Sequence, residues 1–202
     1  MPAMQLRGSQ LTLRFPAPGD AEALFALARD PEVTRWFSWG PYRDVDEPRA
    51  WIAAQAARRE AGEQLDFVID HTEHGVVGVT GLGELSRRDR RAMVGTWLGR
   101  RFWGTGLNAE AKAIVAHAAF SICGLERLGA YSNPENERSG RALERLGFVH
   151  EGTLRRWHRH GDRRLDVHVY GLLREEWSAG PLAGTRVAAI GRPPAPWLVA
   201  ED

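Results

Sequence analysis

The spacing of apolar residues along the chain predicts alternating strands and helices. Strict alternation of apolar and polar residues marks short strands, and recurrence every three or four residues marks amphipathic helices. Capping residues, glycines and prolines separate these segments. The predicted strands cover residues 11–14, 65–70, 75–84, 93–98, 127–131, 148–157 and 165–173. The predicted helices follow Asp20, begin at Asp46 and Leu107, and follow Asn136, and they end at Asp30-Pro31, Gly62, Gly124 and Gly147.

The order of these elements predicts the fold class. The order is β-α-α-β-β-β-α-β-α-β-β, which is typical of an α/β (α+β) domain with helices on both faces of a largely antiparallel sheet. One domain accounts for residues 1–177. Residues 178–202 are rich in proline, glycine and alanine, and this composition predicts a loose C-terminal tail.

Composition and charge argue against several classes of function. The formal net charge of +1 lacks the basic excess of a nucleic-acid-binding domain. No apolar stretch approaches the roughly 18 residues of a membrane span, and residues 1–10 lack a secretory signal. The single cysteine, Cys123, agrees with a reducing cytoplasm. Lys112 is the only lysine, which we attribute to compositional bias. We therefore expect a cytoplasmic protein with no nucleic-acid or membrane partner.

A glycine-rich loop between a predicted strand and a predicted helix is the sharpest chemical signal. It reads Arg101-Phe102-Trp103-Gly104-Thr105-Gly106. Glycines let the backbone turn tightly and let its N–H groups approach an anion, and the following helix adds the positive end of its dipole. Arg101 adds a cation that can contact phosphate. The loop therefore predicts recognition of a pyrophosphate.

Alternative interpretations of this loop remain open at this point. The P-loop pattern G-x-x-x-x-G-K-[ST] is absent from the sequence. A dinucleotide fingerprint matches Gly104, Gly106 and Ala109, but residues 99–103 separate these glycines from the strand. The next strand also ends in residues 131–133 without the acid that the fingerprint requires. Taken alone, the loop is explained equally well as a glycine-rich turn that begins a helix and binds no ligand.

A second motif favours the ligand-binding interpretation of the loop. Residues 133–139 read Asn-Pro-Glu-Asn-Glu-Arg-Ser, and the amphipathic run after them ends in Leu-Gly-Phe at 146–148. The two segments together resemble the GNAT superfamily of N-acetyltransferases, most closely its RimJ/RimL branch of ribosomal-protein N-terminal acetyltransferases. Residues 101–106 match the [RQ]-x-x-G-x-[GA] acyl-CoA loop of that family, and the later segment matches its N-x-x-S…L-G-F motif. The resemblance is strongest over residues 95–152 and looser over 11–177.

The resemblance implies acetyl-CoA as co-substrate and a splayed sheet that opens at the strand of Thr96, Trp97 and Leu98. The pantetheine arm would lie in the opening, pair with the backbone of Thr96 and Leu98, and present its carbonyl to an N–H near Trp97 or Leu98. Asn136 and Ser139 would meet the pantetheine or the thiol, although Asn136 has an alternative role as a helix cap. The cofactor-binding residues implied are Thr96, Trp97, Leu98, Arg101, Phe102, Trp103, Gly104, Thr105, Gly106, Leu107, Asn108, Asn136 and Ser139.

Acyl transfer from a thioester to an amine needs a base, a donor for the carbonyl oxygen and an acid for the departing thiolate. By the resemblance, the amine attacks directly. Ser132 is the preferred acid, because the RimJ/RimL branch places a small polar or thiol residue there, and Tyr131 either shares this role or fills the core. Glu84 is the candidate base, with an exposed edge charge as the alternative. A nucleophilic Cys123 is disfavoured because it lies on an apolar helix face.

The aromatic loop over residues 36–42 is the candidate acceptor site. By the resemblance this loop covers the opening, so Trp36, Trp39 and Tyr42 would wall the acceptor pocket. Scattered surface aromatics or a dimer contact are the alternatives. His158 and His160 lie in the turn of the last predicted hairpin. No third metal ligand follows at a suitable spacing, so we expect no metal.

The sequence therefore predicts an N-acetyltransferase that moves an acetyl group from acetyl-CoA to a primary amine. The acceptor is a protein N-terminus or a small molecule, and the resemblance allows a homodimer. A non-catalytic acyl-CoA sensor is the second hypothesis. A dinucleotide-dependent enzyme is the third, and the missing acid argues against it.

Overall fold

The computed structural model describes residues 3–199, which fold into one mixed sheet flanked by helices. The strands are β1 (Gln5–Arg7), β2 (Leu11–Arg14), β3 (Gln64–His71), β4 (Gly75–Ser86), β5 (Arg91–Leu98), β6 (Arg127–Ser132), β7 (Val149–His160), β8 (Arg163–Leu173) and β9 (Ala188–Ile190). The α-helices are α1 (Ala21–Ala28), α2 (Pro31–Thr34), α3 (Asp46–Glu60), α4 (Leu107–His117), α5 (Glu137–Arg145) and α6 (Arg174–Ala179). Within residues 3–199, no helix is long and apolar enough to cross a membrane.

The sheet has the strand order β7-β8-β6-β5-β4-β3-β2-β1-β9. Every pair of neighbours is antiparallel except β5 and β6. This parallel pairing joins only Arg91–Met93 to Arg127–Gly129, although both strands run on beyond it. The predicted fold class is therefore confirmed, because a mostly antiparallel sheet splays open in its middle.

Apolar side chains cover both faces of the sheet. On one face α4 packs its fully buried residues Ala111, Ile114 and Val115 into the main core, together with side chains of β2 and β5. On the other face, Leu24 of α1 and Ile52 of α3 belong to a second cluster against β3 and β4. The strands on the β5 side of the opening are therefore covered by helices on both faces.

Four of these strands and helices were not predicted from the sequence: β1, α2, α6 and β9. The first helix ends just before Asp30-Pro31, as predicted, but the sequence analysis did not predict that a second short helix begins there. Pro31 occupies the first turn of α2, and the Asp30 carboxylate accepts a hydrogen bond from the Glu32 N–H at 3.0 Å. Proline suits the first turn because its missing N–H would have no helical partner there. The same dipeptide thus ends one helix and begins the next.

The C-terminal segment differs from the loose tail that its composition predicts. β9 pairs with β1, and Trp197 is fully buried with its indole Nε1 donating to the Arg59 carbonyl oxygen at 3.0 Å. The Val199 N–H donates to the Cys123 carbonyl oxygen at 2.9 Å. Residues 180–199 therefore pack against the rest of the chain, because a few large apolar side chains outweigh a loop-like composition. The last three residues of the predicted tail lie outside the described residues, and the domain boundary at residue 177 stays a prediction.

Candidate active site

The parting of β5 and β6 opens a cleft with a volume of about 600 Å³. If the parallel register continued past Met93 and Gly129, Thr96 of β5 would stand opposite Ser132 of β6. Both residues instead line the cleft. A strand edge without a partner presents N–H and C=O groups that another extended chain can pair with. The cleft therefore offers an edge for an extended ligand that carries amides.

Alternation along the two strands assigns the cleft side chains to two faces of the sheet. Thr96 lies on the α4 face, where its hydroxyl contacts a side chain of that helix, and Ser132 shares this face with its neighbours Leu128 and Ala130 in the main core. Trp97 packs instead with the cluster of α1 and α3. Tyr131 has the opposite parity to Ser132 along β6 and so lies on the face of Trp97. The cleft thus has a different set of functional groups on each face.

The glycine loop folds as a sharp turn into α4, as the sequence predicts. Gly104 and Gly106 have φ values of +79° and +90°, in the left-handed region that favours glycine. A Cβ atom at either position would have no atom within 4 Å, so the loop borders open space. The Thr105 hydroxyl donates to the Phe102 carbonyl oxygen at 2.8 Å and fixes the turn. The first N–H groups of α4, from Leu107, point out of the helix without an intrahelical acceptor.

Trp103 connects this loop to β5 and α5. Its indole Nε1 donates to the Leu98 carbonyl oxygen at 2.9 Å, and the Arg138 guanidinium lies 3.6 Å from its ring centroid. Arg138 and Arg145 of α5 both line the cleft, and Arg138 lies beside the loop. The sequence analysis missed these two cations, which add positive charge to the cleft. It also did not predict that the Leu98 carbonyl oxygen already accepts a hydrogen bond from the Trp103 side chain.

Asn136 and Ser139 lie at the start of α5 and line the cleft, where the resemblance implies them. The Asn136 side-chain oxygen accepts a hydrogen bond from the Ser139 N–H at 3.3 Å, so Asn136 caps the helix. Only this oxygen is used for the cap, and the structure gives its amide nitrogen no hydrogen bond to residues 3–199. The capping role and a ligand contact are therefore compatible.

Glu84 and Tyr131, which the sequence analysis treated separately, form a pair at the opening. The Tyr131 hydroxyl donates to a Glu84 carboxylate oxygen at 3.2 Å. Burial, followed by the Glu84 charge, raises the pKa of Tyr131 above its usual value. Glu84 has a φ of +51° and lies where the register between β4 and β5 shifts. This irregularity gives the exposed carboxylate its position beside Tyr131 across β5.

Ser132, the predicted acid, is buried on the other face of the cleft. Its Oγ donates to the Asn133 carbonyl oxygen at 3.3 Å, a long hydrogen bond. The hydroxyl can leave this acceptor by rotating about one bond, so the predicted role stays a prediction. The rival nucleophile Cys123 is buried, and burial raises the pKa of its thiol to about 12. A thiol that stays protonated is a poor nucleophile, which agrees with the low rank given to Cys123.

Lys112 is a functional group of the cleft that the sequence analysis missed. Its residue is only 7% exposed, and its Nζ donates to the Thr96 hydroxyl at 3.0 Å. That hydroxyl lies 2.7 Å from the Thr80 hydroxyl. Burial lowers the pKa of Lys112 to about 8. The signal available in the sequence was a single lysine within an otherwise apolar helix face, which we attributed to composition.

The predicted acceptor aromatics occupy two layers. Trp36 lines the cleft, as do Phe37 and Trp97. Trp39 lies behind them, with ring centroids 5.4 Å from Phe37 and 5.6 Å from Trp97, and Tyr42 packs on Trp39 at 5.3 Å. Only Trp36 of the three predicted residues therefore borders the cleft, while the other two support its wall.

Three residues of the predicted cofactor loop do not present their side chains to the cleft: Arg101, Thr105 and Leu107. The Thr105 hydroxyl is used within the turn. The Arg101 guanidinium lies over the Phe102 ring and borders a separate surface cavity with Arg100 and His74. The Leu107 side chain is part of the main core. Leu107 can therefore contact a ligand through its backbone but not through its side chain. Residues 3–199 contain no group of three or more histidine, cysteine, aspartate or glutamate residues that could hold a metal.

Comparison with known proteins agrees with this geometry. The sequence profile of the acetyltransferase (GNAT) domain matches residues 10–149. The uncharacterized N-acetyltransferase p20 of Bacillus licheniformis is 31% identical over 171 residues, which span 84% of this chain and 96% of that protein. The ribosomal protein uS5-alanine N-acetyltransferase of Escherichia coli is 27% identical over 189 residues, 89% of this chain and 96% of that protein.

A solved structure shows the same fold at lower identity. The spermidine N-acetyltransferase of Vibrio cholerae, in complex with CoA and spermine, superimposes with a TM-score of 0.72 at 21% identity. The alignment covers 83% of this chain and 98% of that one. The predicted N-acyltransferase class is therefore confirmed, and the chain belongs to the GNAT family of acetyltransferases.

Proposed function

We propose that the protein transfers an acetyl group from acetyl-CoA to a primary amine by direct attack. The observation that carries this proposal is the splayed cleft, which joins an anion-binding helix start to the Glu84–Tyr131 pair. A sensor that only binds acyl-CoA would need the first feature but not the second. The paired carboxylate and phenol therefore favour turnover over sensing.

The cleft residues fit the parts of acetyl-CoA in order. N–H groups at the start of α4, with Arg138 and Arg145, suit the pyrophosphate. The unpaired edge of β5 suits the two amides of the pantetheine arm, which would lie between β5 and β6 like an added strand. This order directs the thioester towards the narrow end of the cleft, where the strands separate.

The acceptor amine would enter from the opposite face of the sheet. Trp36, Phe37 and Trp97 wall that side of the cleft. An alkylammonium must lose a proton before it attacks, and the Glu84 carboxylate beside Tyr131 is placed to accept it directly or through a water. The nitrogen lone pair then forms the new bond to the carbonyl carbon, and the bond from that carbon to sulfur breaks. The departing thiolate takes a proton on the α4 face.

Two acceptor classes are supported by the relatives. One relative is named for acetylating an alanine of ribosomal protein uS5, and one structural neighbour is named for acetylating spermidine. We propose a protein N-terminus or a small-molecule amine for this chain. Membership of the RimJ/RimL branch, a cytoplasmic location and a homodimer stay predictions.

Acetyl-CoA and CoA should each raise the melting temperature of the protein, and NAD should not. A ligand at 100 times its dissociation constant stabilises the folded state by about 2.7 kcal/mol, which a thermal-shift titration detects easily. Stabilisation by NAD alone would contradict the acyl-CoA site and support a dinucleotide site at Gly104 and Gly106.

Replacing Glu84 with glutamine should lower kcat/KM for the acceptor amine by about 100-fold, the usual contribution of a positioned base. The amide is isosteric but cannot accept the proton. Initial rates of thiol release, measured across a panel of amines and then with the best one, check this result. Binding of acetyl-CoA should not change, because Glu84 lies on the acceptor face.

Glu73→Gln is the matched control. Glu73 is exposed in the turn between β3 and β4, away from the cleft, so this variant should keep the wild-type rate. Equal rates for Glu84→Gln and the wild type, with chemistry limiting, would show that Glu84 is not the base.

A further inference from the structure

Lys112 is a buried cation that the reaction described so far does not use. An ammonium group can donate three hydrogen bonds, and the structure gives Nζ one acceptor among residues 3–199, the Thr96 hydroxyl. The Thr96 hydroxyl is itself held by Thr80, whose hydroxyl also donates to the Gly95 carbonyl oxygen at 3.0 Å. The two threonines thus hold the Lys112 side chain against β5, with donor capacity left for a group in the cleft that Lys112 lines.

An unpaired buried charge is costly, so its retention calls for a partner. Removing an ammonium from water without an opposite charge costs several kcal/mol, and the group responds by lowering its pKa, as Lys112 does. Lys112 forms no salt bridge with a described carboxylate. A negative charge that arises in the cleft during the reaction would supply the missing partner.

We propose, on the basis of the proposed function, that the Lys112 ammonium faces the sulfur of the bound cofactor and donates its proton to the departing thiolate. Lys112 and Thr96 lie on the α4 face of the sheet, opposite the Glu84–Tyr131 pair. The base and this acid therefore stand on the two sides of the carbonyl carbon. Lys112 is then a catalytic residue that was not among the predicted site residues.

The proton balance of the step closes with groups that are present. When the bond from carbon to sulfur breaks, its electron pair stays on sulfur, and the thiolate takes one proton from the ammonium. This leaves a thiol and a neutral lysine. The acceptor nitrogen loses two protons in all: Glu84 takes the first before attack, and water takes the second once the nitrogen is bonded to the carbonyl carbon. Glu84 then passes its proton to water, and water returns one proton to Lys112 before the next turnover, so each cycle releases one proton to solvent. Burial already lowers the pKa of Lys112 to about 8, close to the value of about 8.5 for an ordinary thiol, so proton transfer between them is nearly balanced.

The other charged or titratable groups of the cleft leave this role to Lys112. Glu32 of α2 and Tyr131 of β6 line the cleft, as do Arg138 and Arg145 of α5. The side chains of β2 and β4 in the core beside α4 carry no charge: Leu11, Leu13, Val77 and Leu82 are apolar, and Thr80 carries a hydroxyl. The two arginines are proposed to bind the pyrophosphate, and a guanidinium stays protonated at the pH of the reaction. The Tyr131 proton is directed at Glu84.

Lysine labelled with ¹³C at Cε provides a direct test, because this chain contains one lysine and gives one signal. The pH titration of that signal is recorded for the free protein, with CoA, and with desulfo-CoA, which lacks the thiol. We expect CoA to raise the apparent pKa of Lys112 by about one unit, as an opposite charge within 4–6 Å does, and desulfo-CoA to have no such effect. Equal titrations with the two ligands would overturn the proposal.

Lys112→Met tests the same contact from the side of the reaction. The thioether keeps the length of the side chain and removes a buried charge, so the variant should fold at least as stably as the wild type. We expect kcat to fall by about 100-fold while KM for acetyl-CoA changes less than threefold, because the proton is needed only in the transition state. Lys112→Arg should restore little activity, since its guanidinium does not release a proton. A change confined to KM would assign Lys112 to binding and overturn the acid role.

Failure of this inference and failure of the proposed function give different results. If the wild type binds neither acetyl-CoA nor CoA by calorimetry, the proposed function fails. If it binds both and releases thiol to an amine, but Lys112→Met retains full kcat, only the assignment of the acid fails.

Discussion

Replacing Gly104 and Gly106 together with valine should abolish binding of acetyl-CoA while leaving the protein folded. Both residues have φ values near +80 to +90°, where a β-branched side chain is strained. The backbone penalty of about 1–2 kcal/mol per residue is smaller than the stability of an ordinary domain, about 5–15 kcal/mol. The new side chains would project into open space, since no atom lies within 4 Å of either Cβ position. That space is where we place the pyrophosphate.

Isothermal calorimetry with acetyl-CoA measures this loss, and Gly161→Val is the matched control. Gly161 also has a positive φ, +59°, with open space around its Cβ position, but it lies in the turn between β7 and β8, away from the cleft. The control should therefore carry a similar backbone strain per substituted residue and still bind acetyl-CoA with the wild-type affinity. Wild-type affinity in the double valine variant would remove the glycine loop from the cofactor site.

The parts of the site that the sequence predicted well are local in the chain. Gly104 and Gly106 indicate a tight turn before a helix, and Asn136 indicates a helix cap. Each of these features depends on only a few neighbouring residues. The alternation of Thr96 and Trp97 between faces follows from the strand itself. Such features need no knowledge of what packs against them. The resemblance supplied the opening of the sheet, which the structure places between β5 and β6.

The features that the sequence did not predict depend on contacts between distant segments. Glu84 and Tyr131 are 47 residues apart, and they meet only because β4 departs from its regular register beside β5. The contact between Lys112 and Thr96 requires α4 to pack across β5 with one side chain turned into the cleft. Neither the strand irregularity nor the direction of a single lysine leaves a periodic signal, so pattern analysis could name the residues without relating them.

The C-terminal segment shows how composition can mislead. Proline, glycine and alanine predict a loop, and residues 180–199 are mostly irregular in structure. Irregular backbone can still be well packed when a large side chain fixes it. The Arg87 guanidinium donates to the Ala195 and Pro196 carbonyl oxygens at 3.3 and 3.1 Å, and Gly124 has room for no more than a hydrogen atom where the Val199 carbonyl approaches. These contacts hold the segment on either side of Trp197.

Trp197→Ala should lower the free energy of unfolding by about 3–5 kcal/mol, as expected for removing a buried tryptophan. The indole is fully buried in the main core and donates to the Arg59 carbonyl oxygen at the end of α3. Its loss leaves a cavity and removes one of the two hydrogen bonds to that carbonyl, which still accepts from the Gly62 N–H at 3.2 Å. Urea denaturation monitored by circular dichroism measures the change from the shift in the midpoint. Binding of acetyl-CoA to the folded variant should persist, because Trp197 does not line the cleft.

Trp157→Ala is the matched control for Trp197→Ala, because it also removes a tryptophan but not a buried one. Trp157 lies on β7 with 52% of its surface exposed, so its removal should change the free energy of unfolding by no more than about 0.5 kcal/mol. Similar small effects in both variants would mean that the C-terminal segment contributes no packing energy and is the loose tail that its composition predicts. A large loss confined to Trp197→Ala would instead make residues 180–199 part of the cooperative folding unit.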